Sequence, residues 1–201
     1  MINSVSRQLS NRPRLFNLAH AVGLMAPVST TRRGELDCLS RHAAGRKCGI
    51  EIGTFMGVSA AHIAAALTPE GKLYCVDPYV HGDALLAVCR RHLQRVGVWS
   101  KIVMLRQTSQ DATAILPATA DFMFVDGDHS WEAIALDWEI VRRCLSPGAT
   151  VCFHDTSPPP ETPSERCGSV RFFEEVILAD HEFERVETFA TLNVVRRCIA
   201  T

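Results

Sequence analysis

"GIEIGTFMGVSA", Gly49 to Ala60, sets the reading of this chain: an apolar strand runs into a turn with glycines at 53 and 57 and leaves it as a helix. Gly53 permits a tight turn and lets a ligand approach the backbone closely, and Ser59 is placed to cap the helix that follows. A glycine turn between strand and helix serves structure as often as it serves a ligand, so its meaning depends on its surroundings.

Outward from this unit, short apolar runs alternate with amphipathic stretches, the pattern of a parallel sheet flanked by helices. The runs are "KCGIEIG" (47–53), "KLYCVD" (72–77), "KIVMLRQ" (101–107), "DFMFVDG" (121–127) and "ATVCFHD" (149–155). Helices are predicted over 34–44, 59–67, 83–96, 109–116 and 130–144, with "TPEGK" (68–72) and "SPGA" (146–149) as turns that end a helix before the next strand. The tail differs, because "FERVETF" followed by "TLNVVRR" reads as an antiparallel hairpin closing one sheet edge. The predicted fold is therefore an α/β, Rossmann-like three-layer sandwich with a mostly parallel seven-stranded sheet and a C-terminal antiparallel hairpin.

A chain of 201 residues, 47% hydrophobic, suits one domain with a full core. Residues 1–33 read as an N-terminal cap and the proline-rich 156–169 as a mobile loop at the carboxyl end of a strand, where open parallel sheets bind ligands. The 21 basic and 22 acidic side chains nearly cancel, so nucleic acid and anionic membranes are not expected partners. Eight cysteines without a CxxC pair suit a reducing cytoplasm better than a disulfide framework. "LFNLAHAVGLMAPV" after three arginines has the outline of a signal sequence, but Asn17 and His20 interrupt its apolar core, and no run is long enough to span a membrane. A homodimer through the hairpin edge or the N-terminal segment is left open.

Two acids give the glycine turn its chemistry. Glu51 lies inside an apolar strand, where an unpartnered carboxylate is costly, and Asp77 ends the next strand, where an acid can accept both hydroxyls of a ribose. The turn lacks the GxGxxG spacing that brings amides to a pyrophosphate, and an acid beside it repels phosphate and suits a cation. A cationic nucleoside without phosphate is S-adenosylmethionine.

"IEIGTFMGVSA" followed by "LYCVDPY" resembles the first two motifs of class I S-adenosylmethionine-dependent methyltransferases, nearest to the catechol O-methyltransferase type, and "MAPVSTTRRGELD" is similar to the segment by which that type covers its cofactor. The resemblance implies that Glu51, Gly53 and Thr54 line the methionine end, and that Gly57 and Ser59 shape the helix start. It also places Asp77 at the ribose and Ser109 with Gln110 beside the adenine, Ser109 having simple helix capping as its alternative.

The second chemical stretch is "VDGDHSW", Val125 to Trp131. Asp126 and "HD" (154–155) end adjacent predicted strands, so Asp126, His154 and Asp155 converge at one sheet edge. Asp126 there borders both cofactor and metal. Two carboxylates suit Mg²⁺; the imidazole either turns away or favours a softer ion such as Mn²⁺. The "DGDH...HD" pairing resembles a metal-dependent branch of bacterial sugar and natural-product O-methyltransferases. His129 is the expected general base, since an imidazole with an ordinary pKa of about 6.5 is mostly neutral at pH 7. Asp128 is the rival base, capping of the helix beginning near Ser130 is the alternative role for both, and Trp131 is either pocket wall or core.

The expected activity is divalent-metal-dependent O-methylation of a sugar, glycan or other small natural product. A Rossmann oxidoreductase or epimerase would need the phosphate-cradling loop this chain lacks; a non-catalytic partner protein would have no reason to keep Asp126, His129 and Asp155 convergent.

Overall fold

The computed structural model describes residues 12–80, 82–157 and 168–199. Strand β1 (Cys48–Ile52) leads through the glycine turn into a helix, Val58–Ala66, and β2 (Lys72–Val76) leads into another, Asp83–Arg95. Then come β3 (Ile102–Leu105), a four-residue helix Ser109–Ala112, β4 (Ala120–Val125), the helix Trp131–Cys144 and β5 (Leu145–Phe153). A helix starting at Gly168 and continuing as a π-turn to Ile177 precedes β6 (Phe183–Phe189) and β7 (Leu192–Arg197). Upstream lie helices Pro13–Ala21 and Arg33–Ala43. In chain order these helices are α1 (Pro13–Ala21), α2 (Arg33–Ala43), α3 (Val58–Ala66), α4 (Asp83–Arg95), α5 (Ser109–Ala112), α6 (Trp131–Cys144) and α7 (Gly168–Phe172).

The strands form one sheet in the order β3-β2-β1-β4-β5-β7-β6. β1 to β5 are parallel; β7 runs antiparallel between β5 and β6. The chain winds outward in one direction from β1 through β2 and in the other from β4, so the crevice for a ligand opens where β1 and β4 end. Alternation along the strands divides the core. Cys75, Phe122 and Phe124 join Leu39, Ile63 and Leu93 on the side of α2, α3 and α4. Ile50, Met123 and Phe153 join Trp138, Val141 and Phe173 on the other. Each large apolar side chain so enclosed contributes about 1.5–3 kcal/mol.

The predicted architecture and all five parallel strands are present, with local differences that have local causes. Gly57, at φ +79°, is the residue preceding α3, so the helix begins at Val58 and Ser59 does not cap it. The predicted helix over 109–116 stops at Ala112, and residues 113–115 form a turn in which the Ile115 and Leu116 N–H groups donate to the Ala112 carbonyl at 2.8 and 3.0 Å. "SPGA" is not the expected turn but part of β5: Leu145 pairs with Ala120 before it, and pairing resumes at Phe122 with Thr150 after a register shift. Gly148 takes φ +77° there.

The apolar stretch near the N-terminus forms α1, which docks on α4. Phe16 is fully buried, Arg91 donates to Asn17 Oδ1 at 3.1 Å, and Arg95 donates to the carbonyl of His20 at 3.0 Å. Burial, then the charges of Arg95, Arg91 and His92, push the His20 pKa down to about 4. The polar residues that interrupt a signal-like core are thus anchors of a packed helix. The first eleven residues of the expected cap, and 158–167 of the expected loop, lie outside the described residues. Among the described residues no helix is long and apolar enough to cross a membrane, and the seven cysteines there are unpaired.

Candidate active site

The turn after β1 is built around a backbone contact. Gly53, at φ +88°, donates its N–H to Val76 at 2.9 Å, and Asp126 N–H donates to Ile52 at 2.8 Å, so three strand ends are laced together. A Cβ on Gly53 would stand 2.0 Å from the Asp126 carbonyl oxygen. Only glycine fits, and the reason is the approach of the two chemical stretches to each other.

Glu51 and Thr54 sit beneath this turn and not in the cavity wall. Glu51 is 0% exposed, and neither of its carboxylate oxygens, nor Thr54 Oγ1, completes a hydrogen bond. Burial pushes the Glu51 carboxyl up to about 7, with Asp126 adding to the rise and Ser59, Thr54 and Cys75 opposing it. Buried polar atoms without a partner, beside a backbone opened by glycine, fit a polar ligand lying against the turn.

Asp77 follows β2, where its Oδ2 accepts the Phe55 N–H at 2.8 Å and its Oδ1 the Tyr79 N–H at 2.7 Å. Both amides hold the carboxylate at the crevice mouth, and each oxygen keeps a second lone pair for a ribose hydroxyl. Phe55 and Tyr79 adopt positive φ of 48° and 50° to make this clasp.

Ser109 is not the cap of α5. Thr108 is, accepting from Asp111 N–H at 3.2 Å, while Ser109 Oγ donates to Asp137 Oδ1 at 2.6 Å. Asp137 is buried on α6, and burial pushes its pKa up to about 6, with Ser109 opposing the rise. Gln110 faces the same cavity.

The polar strand end is where β4 and β5 lie side by side. His154 N–H donates to the carbonyl of Val125 at 3.0 Å, which brings its ring beside Asp126. His154 Nδ1 lies 3.1 Å from Asp126 Oδ1 and 3.3 Å from Asp155 Oδ2, without the alignment of a hydrogen bond to either. The imidazole does not turn away. One donor atom from each of Asp126, His154 and Asp155 falls within a 4.8 Å cluster, a set that fits a divalent cation accepting both nitrogen and oxygen. Asp155 takes φ +50°, a conformation costing about 1–3 kcal/mol in an L-residue, and its carboxylate points back to the cluster.

The far side of His154 meets a residue that the sequence did not single out. Nε2 is 3.5 Å from Glu35 Oε2 on α2, and Glu35 Oε1 accepts from both N–H and Oγ1–H of Thr191 at 3.0 and 2.7 Å. Burial disfavours charge on both groups. The carboxylates around His154 outweigh it and hold the imidazole pKa well up, while His154, Thr191 and Arg32 N–H bring Glu35 down to about 2. The signal was present in "GELDCL": Glu35 lies four residues before inward-facing Leu39 and so shares its helix face, whereas Asp37 is exposed.

His129 Nε2 stands 3.5 Å from Asp155 Oδ2 with its side chain 44% exposed, so it is both reachable and next to the cluster. Asp128 spends one oxygen on the Ser130 N–H at 2.7 Å, a bond that lowers its pKa and weakens it as a base. Ser130, not Asp128 or His129, caps α6, accepting from Ala133 N–H at 3.3 Å. Trp131 packs edge-on against Phe172 at 5.0 Å under the Arg171 guanidinium, and so is part of the docking of α7 and not a cavity wall.

A cavity of about 690 Å³ joins the two stretches, within the size range of small-ligand sites. Gly53, Asp77, Ser109 and Gln110 line one part, Asp126, Asp128 and His129 another, and Thr30 reaches it from the N-terminal segment.

Residues 50–156 match the sequence model of a family described as a methyltransferase domain. The fold is similar to that of the O-methyltransferase TomG from Streptomyces achromogenes in complex with SAM, at TM-score 0.68 and 20% identity over 98% of this chain and 97% of that one. An O-methyltransferase from Bacillus cereus in complex with SAH gives 0.71 and 15%, covering 98% of each chain. Cofactor-bound Rv0187 from MTB gives 0.72 and 16%, over 98% of this chain and 97% of that one. No curated protein matches the sequence.

Proposed function

Because the chain belongs to the methyltransferase-domain family, we propose that it is an S-adenosylmethionine-dependent, divalent-metal-dependent O-methyltransferase whose acceptor is a hydroxyl of a sugar, glycan or other small natural product. The observation that carries this reading is one cavity lined by a ribose-type acid, Asp77, and, across Gly53, by Asp126 and His129, the latter standing 3.5 Å from Asp155. The cofactor would lie against Gly53, Asp77, Ser109 and Gln110, above the orphaned Glu51 and Thr54; the metal would be held by Asp126, His154 and Asp155.

When bound, the cofactor supplies an electrophilic sulfonium methyl and the cation makes a nearby hydroxyl more acidic. His129 takes the hydroxyl proton and holds it at Nε2, where Asp155 Oδ2 at 3.5 Å stabilises the imidazolium. Glu35 fixes the tilt of His154 from behind. Asp77, held by the Phe55 and Tyr79 amides, would accept from the ribose hydroxyls and so fix the cofactor's position. Among the described residues, Phe55 and Val80 line the cavity with exposed apolar side chains, which suits a hydroxyl carried on a larger, accessible molecule.

The test is calorimetry with S-adenosylmethionine, with and without Mn²⁺ or Mg²⁺, followed by transfer of labelled methyl to a panel of sugars and phenols. Binding of the cofactor and metal-dependent formation of S-adenosylhomocysteine are expected. Failure to bind S-adenosylmethionine overturns the cofactor assignment, and turnover indifferent to chelator overturns the metal's role.

A further inference from the structure

A second cluster of metal-ligating side chains lies outside this cavity, between α2 and the edge strand β6. Cys38 and His42 are one helical turn apart on α2 and so share a face. Glu187 comes from β6, at a register shift after Arg185 that re-aims the side chains there. One donor atom from each of the three falls within a 4.8 Å cluster.

We propose that Cys38, His42 and Glu187 form a second metal site, of the thiolate–imidazole–carboxylate type that takes zinc, clamping α2 to the C-terminal hairpin. The donor set is the reason for the metal's identity. Zinc is bound by cysteine sulfur at about 2.3 Å, histidine nitrogen at about 2.0 Å and carboxylate oxygen at about 2.0–2.2 Å, and three protein ligands leave a fourth position for water.

The geometry is close to what this requires. His42 Nε2 and Glu187 Oε2 are 2.8 Å apart, and tetrahedral ligands at those bond lengths stand roughly 3.3 Å apart, so a small separation admits the ion. Glu187 Oε1 is meanwhile held by Arg41 NH2 at 2.6 Å, which leaves Oε2 as the oxygen presented to the site. Burial, then the Glu187 charge, raises the Cys38 thiol pKa, and the same guanidinium nitrogen, 3.6 Å from Cys38 Sγ, opposes that rise. Arg41 is therefore the outer partner that orients two of the three ligands. The sulfur is buried at the base, while the imidazole and carboxylate are partly exposed at the rim and give the ion a way in.

Binding breaks the Cys38 S–H bond: the proton goes to solvent, the sulfur pair to the metal, and nothing is oxidised. Thiolate, carboxylate and a divalent ion then sum to zero charge. The clamp joins the helix that carries Glu35 to the hairpin whose turn carries Thr191, the residue Glu35 accepts from.

The experiment uses the full chain, stripped with chelator and titrated with Co²⁺. A thiolate-to-cobalt charge-transfer band is expected in the near ultraviolet, reversed by zinc. Sulfur distinguishes this site from Asp126, His154 and Asp155, which hold none, so the band should survive in His154→Asn and vanish in Cys38→Ser. His42→Gln and Glu187→Gln, which leave the buried sulfur in place, should weaken zinc binding, and Arg41→Gln should weaken it by about tenfold. No band in the wild-type chain, or a band that persists in Cys38→Ser, overturns the proposal. So does zinc binding that the His42, Glu187 and Arg41 variants leave unchanged.

Discussion

Glu35 and His154 meet behind the strand ends, Oε2 to Nε2 at 3.5 Å, with both side chains almost completely buried and the opposite ring nitrogen facing Asp126 and Asp155. A carboxylate behind a histidine whose other nitrogen faces a candidate cation is the arrangement that orients a ligand and raises its basicity. Glu35→Gln, whose amide oxygen can still accept from Thr191 but whose NH2 then faces the Arg32 N–H and His154 Nε2, should weaken Mn²⁺ binding by about 10- to 100-fold while leaving S-adenosylmethionine affinity unchanged. Calorimetry reads both, and an unaltered metal affinity would remove His154 from the ligand set.

The two adjacent contenders for the proton separate by mutation. His129→Ala should lower turnover by roughly 10² to 10⁴ with cofactor affinity intact. Asp128→Asn should cost far less, because its oxygen serves the Ser130 N–H and the amide retains an acceptor for it. Steady-state rates with cofactor binding measured in parallel check this; the reverse ranking makes Asp128 the base.

Glu51 gives the metal-free, cofactor-free protein a pH dependence. Its carboxyl, raised from 4.5 to about 7, stays protonated in the fold at pH values where the unfolded chain has ionised. Its contribution to stability is therefore complete below pH 4.5 and is lost as the pH rises through about 7. Glu51→Gln should raise unfolding free energy above pH 8 by on the order of 3 kcal/mol and change little near pH 4. Asp137, raised from 3.8 to about 6, leaves a smaller decline of the same sign in the variant. Urea midpoints across this range measure both, and parallel curves for wild type and variant would show that Glu51 is ionised in the fold.

Gly53→Ala places a Cβ 2.0 Å from the Asp126 carbonyl at φ +88°. The loss should be roughly 2–5 kcal/mol in urea unfolding, with cofactor binding weakened as β1 and β4 are pushed apart. A neutral substitution would mean that the strand ends are not in the contact described.

The α/β class, the five parallel strands, the closing hairpin and the position of Asp77 and Asp126 just past strand ends were legible in the sequence, because these depend on local signals. Apolar runs such as "FMFV" make strands, Gly53 and Gly57 mark a turn, and Asp77, Asp126 and Asp155 fall where strands stop. What the sequence left ambiguous turned on neighbours within a few residues: whether Ser109 caps a helix, a role Thr108 takes instead, and where that helix ends. Only the tertiary structure decided the partners of buried polar groups. Glu35 reaches His154 across 119 positions of chain, Arg41 and His42 reach Glu187 across 146 and 145, and nothing in local propensity encodes such pairs. Desolvation makes an isolated buried charge untenable, so a lone acid on an apolar face announces that a partner exists, but only the packing of α2 against β6 and β7 says which one.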